Sequence, residues 1–148
     1  MQFMFEEINT NGQLLAIIIR KDYKAEGIRF FTDNTSSQQL GYMNRPEGYV
    51  IKPHRHNLVG REVHLTQEVL FIKSGKVRVD FYDNEQNYLE SRVLYQGDVI
   101  LLADGGHGFE MLEPSEMIEV KQGPYVEERD KVRFEPVDAN AVTFKNTI

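Results

Sequence analysis

Histidine is scarce in this chain, and three of its four histidines are placed where they could bind a metal. His54 and His56 flank Arg55 in Pro53-His54-Arg55-His56. In an extended segment, residues i and i+2 share a face, so the two imidazoles project together, with Val50 and Lys52 on the same side. His107 lies far downstream, in Asp104-Gly105-Gly106-His107-Gly108-Phe109. Between them Glu68 opens an apolar run, Val69-Leu70-Phe71-Ile72, that stops at Ser74-Gly75. Three neutral imidazoles and a carboxylate suit Fe(II), Mn(II), Ni(II), Cu(II) or Zn(II); Ca(II) and Mg(II) prefer oxygen ligands. Four protein ligands leave a position open on a five- or six-coordinate ion for substrate, water or dioxygen.

Short strands must position these groups. Lys76 to Tyr82 alternates apolar Val77, Val79 and Phe81 with polar neighbours, a period of two, and Tyr88 to Tyr95 returns after the turn Asp83 to Asn87. The other expected strands are Gln2 to Ile8, Leu14 to Arg20, Gly27 to Thr32, Leu40 to Asn44, Tyr49 to His56, Val69 to Lys73, Val99 to Leu102, His107 to Leu112 and Met117 to Gln122. Turn residues such as Asn11-Gly12 and Gln96-Gly97-Asp98 separate them. This spacing, without a helical stripe, predicts an all-β sandwich or barrel. Glu68 shares a face with Leu70 and Ile72, and His107 with Phe109 and Met111. Each ligand thus ends an apolar face, as a metal at the mouth of a barrel requires. Val69 and Phe71, on the opposite face, are too apolar for a wet surface and predict a second sheet or a subunit packed there. After Gly123-Pro124 the chain is polar and aperiodic, apart from Val132-Arg133-Phe134 and Val142-Thr143-Phe144.

Composition narrows the function. The chain has 148 residues, enough for one domain with a real core. Its formal charge of -6 argues against non-specific nucleic-acid binding. It has no cysteine, so it has neither disulfides nor thiolate metal sites, which is compatible with a cytoplasmic location. The apolar run Leu14 to Ile19 is too short to span a membrane.

Gly48-Tyr49-Val50-Ile51-Lys52-Pro53-His54-Arg55-His56, followed by Glu68 and Gly75, resembles the first motif of the cupin superfamily. Gly97-Asp98-Val99-Ile100-Leu101-Leu102-Ala103-Asp104-Gly105-Gly106-His107 resembles the second, with Ala103 where the motif has proline and Met111 where it closes on asparagine. The resemblance covers 48–122 and implies a single all-β cupin domain over 1–148, a jelly-roll or double-stranded β-helix barrel with 123–148 as a C-terminal extension. It implies His54, His56, Glu68 and His107 as ligands of a divalent transition metal. The gap Asn57 to Gln67 between His56 and Glu68 is long, and it leaves Glu62 and His64 as alternatives to Glu68. The tail Glu119 to Tyr125 is similar to that of small cupins encoded among bacterial surface-polysaccharide genes.

The expected function is metal-dependent action on a small polar molecule, such as a sugar or sugar-nucleotide, by isomerase- or oxygenase-like chemistry. The alternative is a metal-containing module that binds a small ligand without turning it over. Lys52, Tyr49 and Arg61 are the candidates to orient substrate or move protons; Arg61 offers a bidentate donor within the long loop. The expected partners are a small molecule and a second copy in a homodimer, with neither nucleic acid nor membrane.

Overall fold

The computed structural model describes residues 5–146. Its strands are β1 (Phe5–Thr10), β2 (Gln13–Ile19), β3 (Gly27–Phe30), β4 (Gly41–Asn44), β5 (Glu68–Ser74), β6 (Lys76–Tyr82), β7 (Tyr88–Tyr95), β8 (Val99–Leu102), β9 (Gly106–Met111) and β10 (Glu116–Lys121). Short 3-10 turns cover Glu127–Asp130 and Ala139–Ala141. Among the described residues no helix is long and apolar enough to cross a membrane. The expected start of the first strand at Gln2 lies outside the described residues.

The strands form antiparallel sheets in the orders β1-β2-β8-β5-β10, β3-β4 and β7-β6-β9. The β1–β2 hairpin turns on Asn11 and Gly12, both at positive φ, as an Asn-Gly turn between twisted strands requires. Alternation on β6 does what the sequence predicts. Val77, Val79 and Phe81 are buried against Leu15, Leu70, Ile72, Ile100 and Leu102 of the five-stranded sheet, so the main core lies between two sheets.

Both sheets are also covered on their outer faces. Ile17, Ile19 and Leu101 pack under Tyr23, Phe31 and Leu40, and Val69 belongs to this second cluster. Its apolar face is therefore met by the chain itself, whereas Phe71 stays exposed. Over the three-stranded sheet runs the C-terminal tail. Ser91 donates its N–H to Thr143 O and accepts from Lys145 N–H, and the Asn146 amide brackets Val93 N–H and C=O. The tail is thus tied down around its strand-like piece Val142-Thr143-Phe144, with an isolated bridge between Ser91 and Phe144.

One edge of the sandwich is closed by charge. Glu6 of β1 pairs with Arg92 of β7 and with Arg20, whose Nη1 also donates to Asp98 at 2.9 Å. Asp98 is buried and satisfied: it accepts from Lys21 N–H and Tyr95 N–H as well. The opposite edge is open. Among the described residues β9 pairs only with β6, and β10 only with β5, so the expected closed barrel is an open sandwich. Tyr49 to His56 carries the composition of a strand, but no residue of the arm 49–66 pairs with any described strand.

Burial raises the pKa of Glu6, but hydrogen bonds and charge from Arg20 and then Arg92 outweigh it and hold the carboxyl below its ordinary 4.5. A lowered folded value stabilises the protein above the ordinary value, and the stabilisation is lost as pH falls through the folded one. Glu6→Gln should therefore cost about 2 kcal/mol at neutral pH, the range for charge-assisted hydrogen bonds. Its loss of stability on acidification should also be shallower than that of the wild type. Parallel urea-unfolding curves from pH 7 to pH 3 check this.

Candidate functional site

Glu68 and His107 meet at the open edge. Glu68 is the first residue of β5 and pairs with Lys121 of β10, while His107 pairs with Phe81 of β6. Both side chains face inward, since Leu70 beside Glu68 and Phe109 beside His107 belong to the main core. Two glycines frame the pair. Gly75, at φ +94, closes the strand that Glu68 opens, and a Cβ there would lie 2.5 Å from Pro114 O. Gly105, at φ +75, leads into β9, and its Cβ would lie 2.6 Å from Tyr82 O. Side chains at either position would be strained by both backbone conformation and crowding.

His107 Nε2 lies 3.8 Å from Glu68 Oε2. That is too long for a hydrogen bond. It is within the span open to two atoms on one ion, each about 2.1 Å from the metal. Burial lowers the pKa of His107, favouring the neutral imidazole, and burial followed by the neighbouring Glu119 carboxylate raises that of Glu68. Lys121 Nζ lies 4.0 Å from Glu68 and 3.2 Å from Glu119.

His54 and His56 are elsewhere. They sit on the exposed arm with their rings 5.4 Å apart, and neither lines the cavity that Glu68 and His107 share. His54 Nδ1 lies 2.9 Å from Lys52 O. A carbonyl only accepts, so Nδ1 carries the proton and the Nε2 lone pair points away from it. Tyr49, Lys52, Arg61, Glu62 and His64 lie on the same arm and are likewise exposed. His64 and Glu62 pair with each other at 3.6 Å, on the surface. Among the described residues no group of three or more His, Asp or Glu side chains could hold a metal. The four expected ligands therefore lie in two places. Glu68 and His107 are gathered in the cavity, His54 and His56 on the arm, and the structure does not bring the two pairs together.

The cavity occupies about 990 Å³ and runs from Glu68 and His107 around β9 to the tail. Phe109 and Phe134 supply ring surface; Arg78, Lys121, Lys131 and Arg133 supply cations; carboxylates from Glu68 to Asp130 outnumber them. Tyr82 seats the tail: its ring meets Phe134 edge-on at 4.9 Å, and its hydroxyl accepts from Val137 N–H at 2.9 Å. Thr66 donates to Asp130 at 2.6 Å, joining the base of the arm to the tail. Sequence reasoning did not pick out Glu119 and Lys121 as site residues, although their i, i+2 spacing puts them on one face of β10. It also passed over Lys131 and Arg133 as site residues, although Val132-Arg133-Phe134 stood out as a strand-like piece of the tail.

Gly105→Ala should cost at least about 1–2 kcal/mol, the penalty of a side chain in the left-handed region, and should shift the His107 ring signals in the NMR spectrum. Urea unfolding measures the first, and unchanged ring signals would show that Gly105 does not set the position of His107. Tyr82→Phe deprives Val137 N–H of its acceptor, at about 1 kcal/mol. Amide exchange across 134–137 should quicken while β6 stays protected. Comparison with protein-family models, curated proteins and solved structures finds no significant match to this chain, so the reading of the site rests on its own residues and geometry.

Proposed function

We infer that the protein binds a small polyhydroxylated molecule, a sugar or the sugar of a sugar-nucleotide, at its open edge and acts on it there. The observation that carries this reading is the composition of the cavity wall. Seven carboxylate side chains and four cationic ones line it together with aromatic rings. Acceptors and donors side by side in one cavity suit vicinal hydroxyls, and ring faces suit the apolar face of a sugar. Lys131 and Arg133, lining the cavity from the tail, are the cations this reading gives to a phosphate. Glu68 and His107 are the pair placed to polarise a hydroxyl or carbonyl and move its proton, being adjacent, inward-facing and set above an apolar floor. The metal dependence that the cupin resemblance implies needs more than these two groups, so no step is assigned to an ion here.

One observation favours a binding module without turnover. Much of the cavity's charge is already paired: Arg78 with Asp80 and Glu110, Lys121 with Glu119, and Arg133 with Glu128. Such groups are held for recognition and are less free to exchange protons.

A panel of sugars, sugar phosphates and sugar-nucleotides separates the two. A bound member should raise the melting temperature, because it binds the folded state alone. Arg133→Ala should weaken a phosphorylated member about tenfold and leave a neutral sugar unchanged. Product formation that disappears in both Glu68→Gln and His107→Ala supports the enzyme. Binding without product, with and without Fe(II), Mn(II) or Zn(II), identifies the module. No binding across the panel would overturn the assignment of the cavity to sugars.

A further inference from the structure

The outer face of the three-stranded sheet carries a polar network that the Glu68 and His107 pair does not use. Val77, Val79 and Phe81 point into the core, so Arg78, Asp80 and Tyr82 alternate to the opposite face of β6. Glu110 lies across from Arg78 on β9 and shares that face. The cavity passes around β9, the edge strand of this sheet, and these four residues line it. We propose that Arg78 is an anion receptor: its guanidinium binds the carboxylate or phosphate group of a small molecule on this outer face, and Glu110 is the group that the ligand replaces.

The guanidinium is held from one side. Its Nε and Nη2 donate to Asp80 at 2.9 and 3.0 Å, a bidentate pair. The Asp80 side chain is only 4% exposed, and it is itself fixed by the buried Ser91, whose hydroxyl donates to the same carboxylate. The Ser91 proton is committed there, so Ser91 Oγ accepts from the Tyr88 hydroxyl, 2.7 Å away. A buried ion pair adds little stability over apolar packing of similar volume. What this run of contacts supplies is orientation: it leaves the Nη1 end of the fork in a fixed place on the side of Glu110.

The two carboxylates on Arg78 differ. Asp80 is buried with it, whereas Glu110, 2.5 Å from Nη1, has 58% of its side chain exposed. An exposed partner holds weakly, because water solvates it almost as well. An oxyanion that takes Nη1 and Nη2 together, in a fork-to-fork pair, binds more tightly than the single contact of Glu110.

There is also room. Gly108 lies opposite Asp80 across the β6–β9 ladder. A Cβ there would meet nothing nearer than a Tyr82 ring carbon at 4.0 Å, so the sheet surface beside the ion pair is bare. Lys131 and Arg133, from the tail, add positive charge to the same cavity and offset Asp80 once Glu110 has swung into water. The planar fork of an arginine matches carboxylate and phosphate alike. An oxyanion on Arg78 and a hydroxyl at Glu68 and His107 are contacts on opposite faces of β9, so the receptor stands whether or not the cavity takes a sugar.

NMR titration tests the proposal, with inorganic phosphate and glucuronate as probes, glucose as the neutral control and ionic strength held constant. The Arg78 Nε–H signal, assigned by its absence from Arg78→Lys, and the Gly108 amide signal should move saturably with at least one probe and stay in place with glucose. A tighter response to phosphate identifies a phosphorylated ligand, and a tighter response to glucuronate a carboxylated one; either upholds the receptor. Glu110→Gln removes the competing charge and should tighten binding about two- to fivefold, the strength of an exposed ion pair. Arg78→Lys keeps the charge but loses the fork, and should weaken binding, read from the Gly108 amide, by about tenfold. No saturable movement with either probe, in both the wild type and Glu110→Gln, would overturn the proposal. So would an affinity that Glu110→Gln leaves unchanged or lowers, or binding that Arg133→Ala abolishes and Arg78→Lys retains. Glu110 is exposed and its substitution leaves the fold intact, so the Glu110→Gln result decides the matter even where Arg78→Lys is unstable.

Discussion

The two main sheets are clamped along one edge only, and the rest of the structure follows from that asymmetry. Glu6 on β1 reaches Arg92 on β7, and Arg20 links Glu6 to the buried Asp98. Each of these charges is both paired and hydrogen-bonded, the condition under which burying them is tolerable. With β1 and β7 held together, the apolar faces of β2, β5, β6 and β8 close over each other. The far edge, between β9 and β10, is left to diverge, and it opens into the cavity.

That opening decides what Glu68 and His107 experience. Both are rooted in the core by their strand neighbours, Leu70 and Phe109, while their polar ends look into the cavity. Burial favours the neutral imidazole, and burial followed by the nearby Glu119 carboxylate raises the pKa of Glu68, so the two groups form at most a weak structural ion pair. The tail completes the cavity from outside, pinned at Tyr82 and along β7.

The arm is the other consequence of an open edge. A sandwich with free strands at its mouth needs something to cover them. Residues 49–66 are mostly exposed and rich in apolar side chains.

The strands around the core were legible because their cause is local. The alternation at Val77, Val79 and Phe81, the Asn11-Gly12 turn and the Gly75 and Gly105 frames act over a few residues, and each is visible in the string of letters. Glu68 and His107 were legible as partners for the same reason: each ends an apolar strand face. The sequence alone therefore determined an all-β chain with a carboxylate and an imidazole at strand ends. Only the tertiary structure decided where Tyr49 to His56 goes. A strand's composition makes it extended, but pairing needs a neighbour, and none within the described chain is adjacent to it. Of the tail the sequence showed only the strand-like pieces at Val132-Arg133-Phe134 and Val142-Thr143-Phe144; where they dock depends on Tyr82, Ser91 and Val93, far away in sequence. Distance along the chain carries no signal of such contacts. The histidines that share a pattern in the sequence are therefore divided in space, His107 in the cavity and His54 with His56 on the arm.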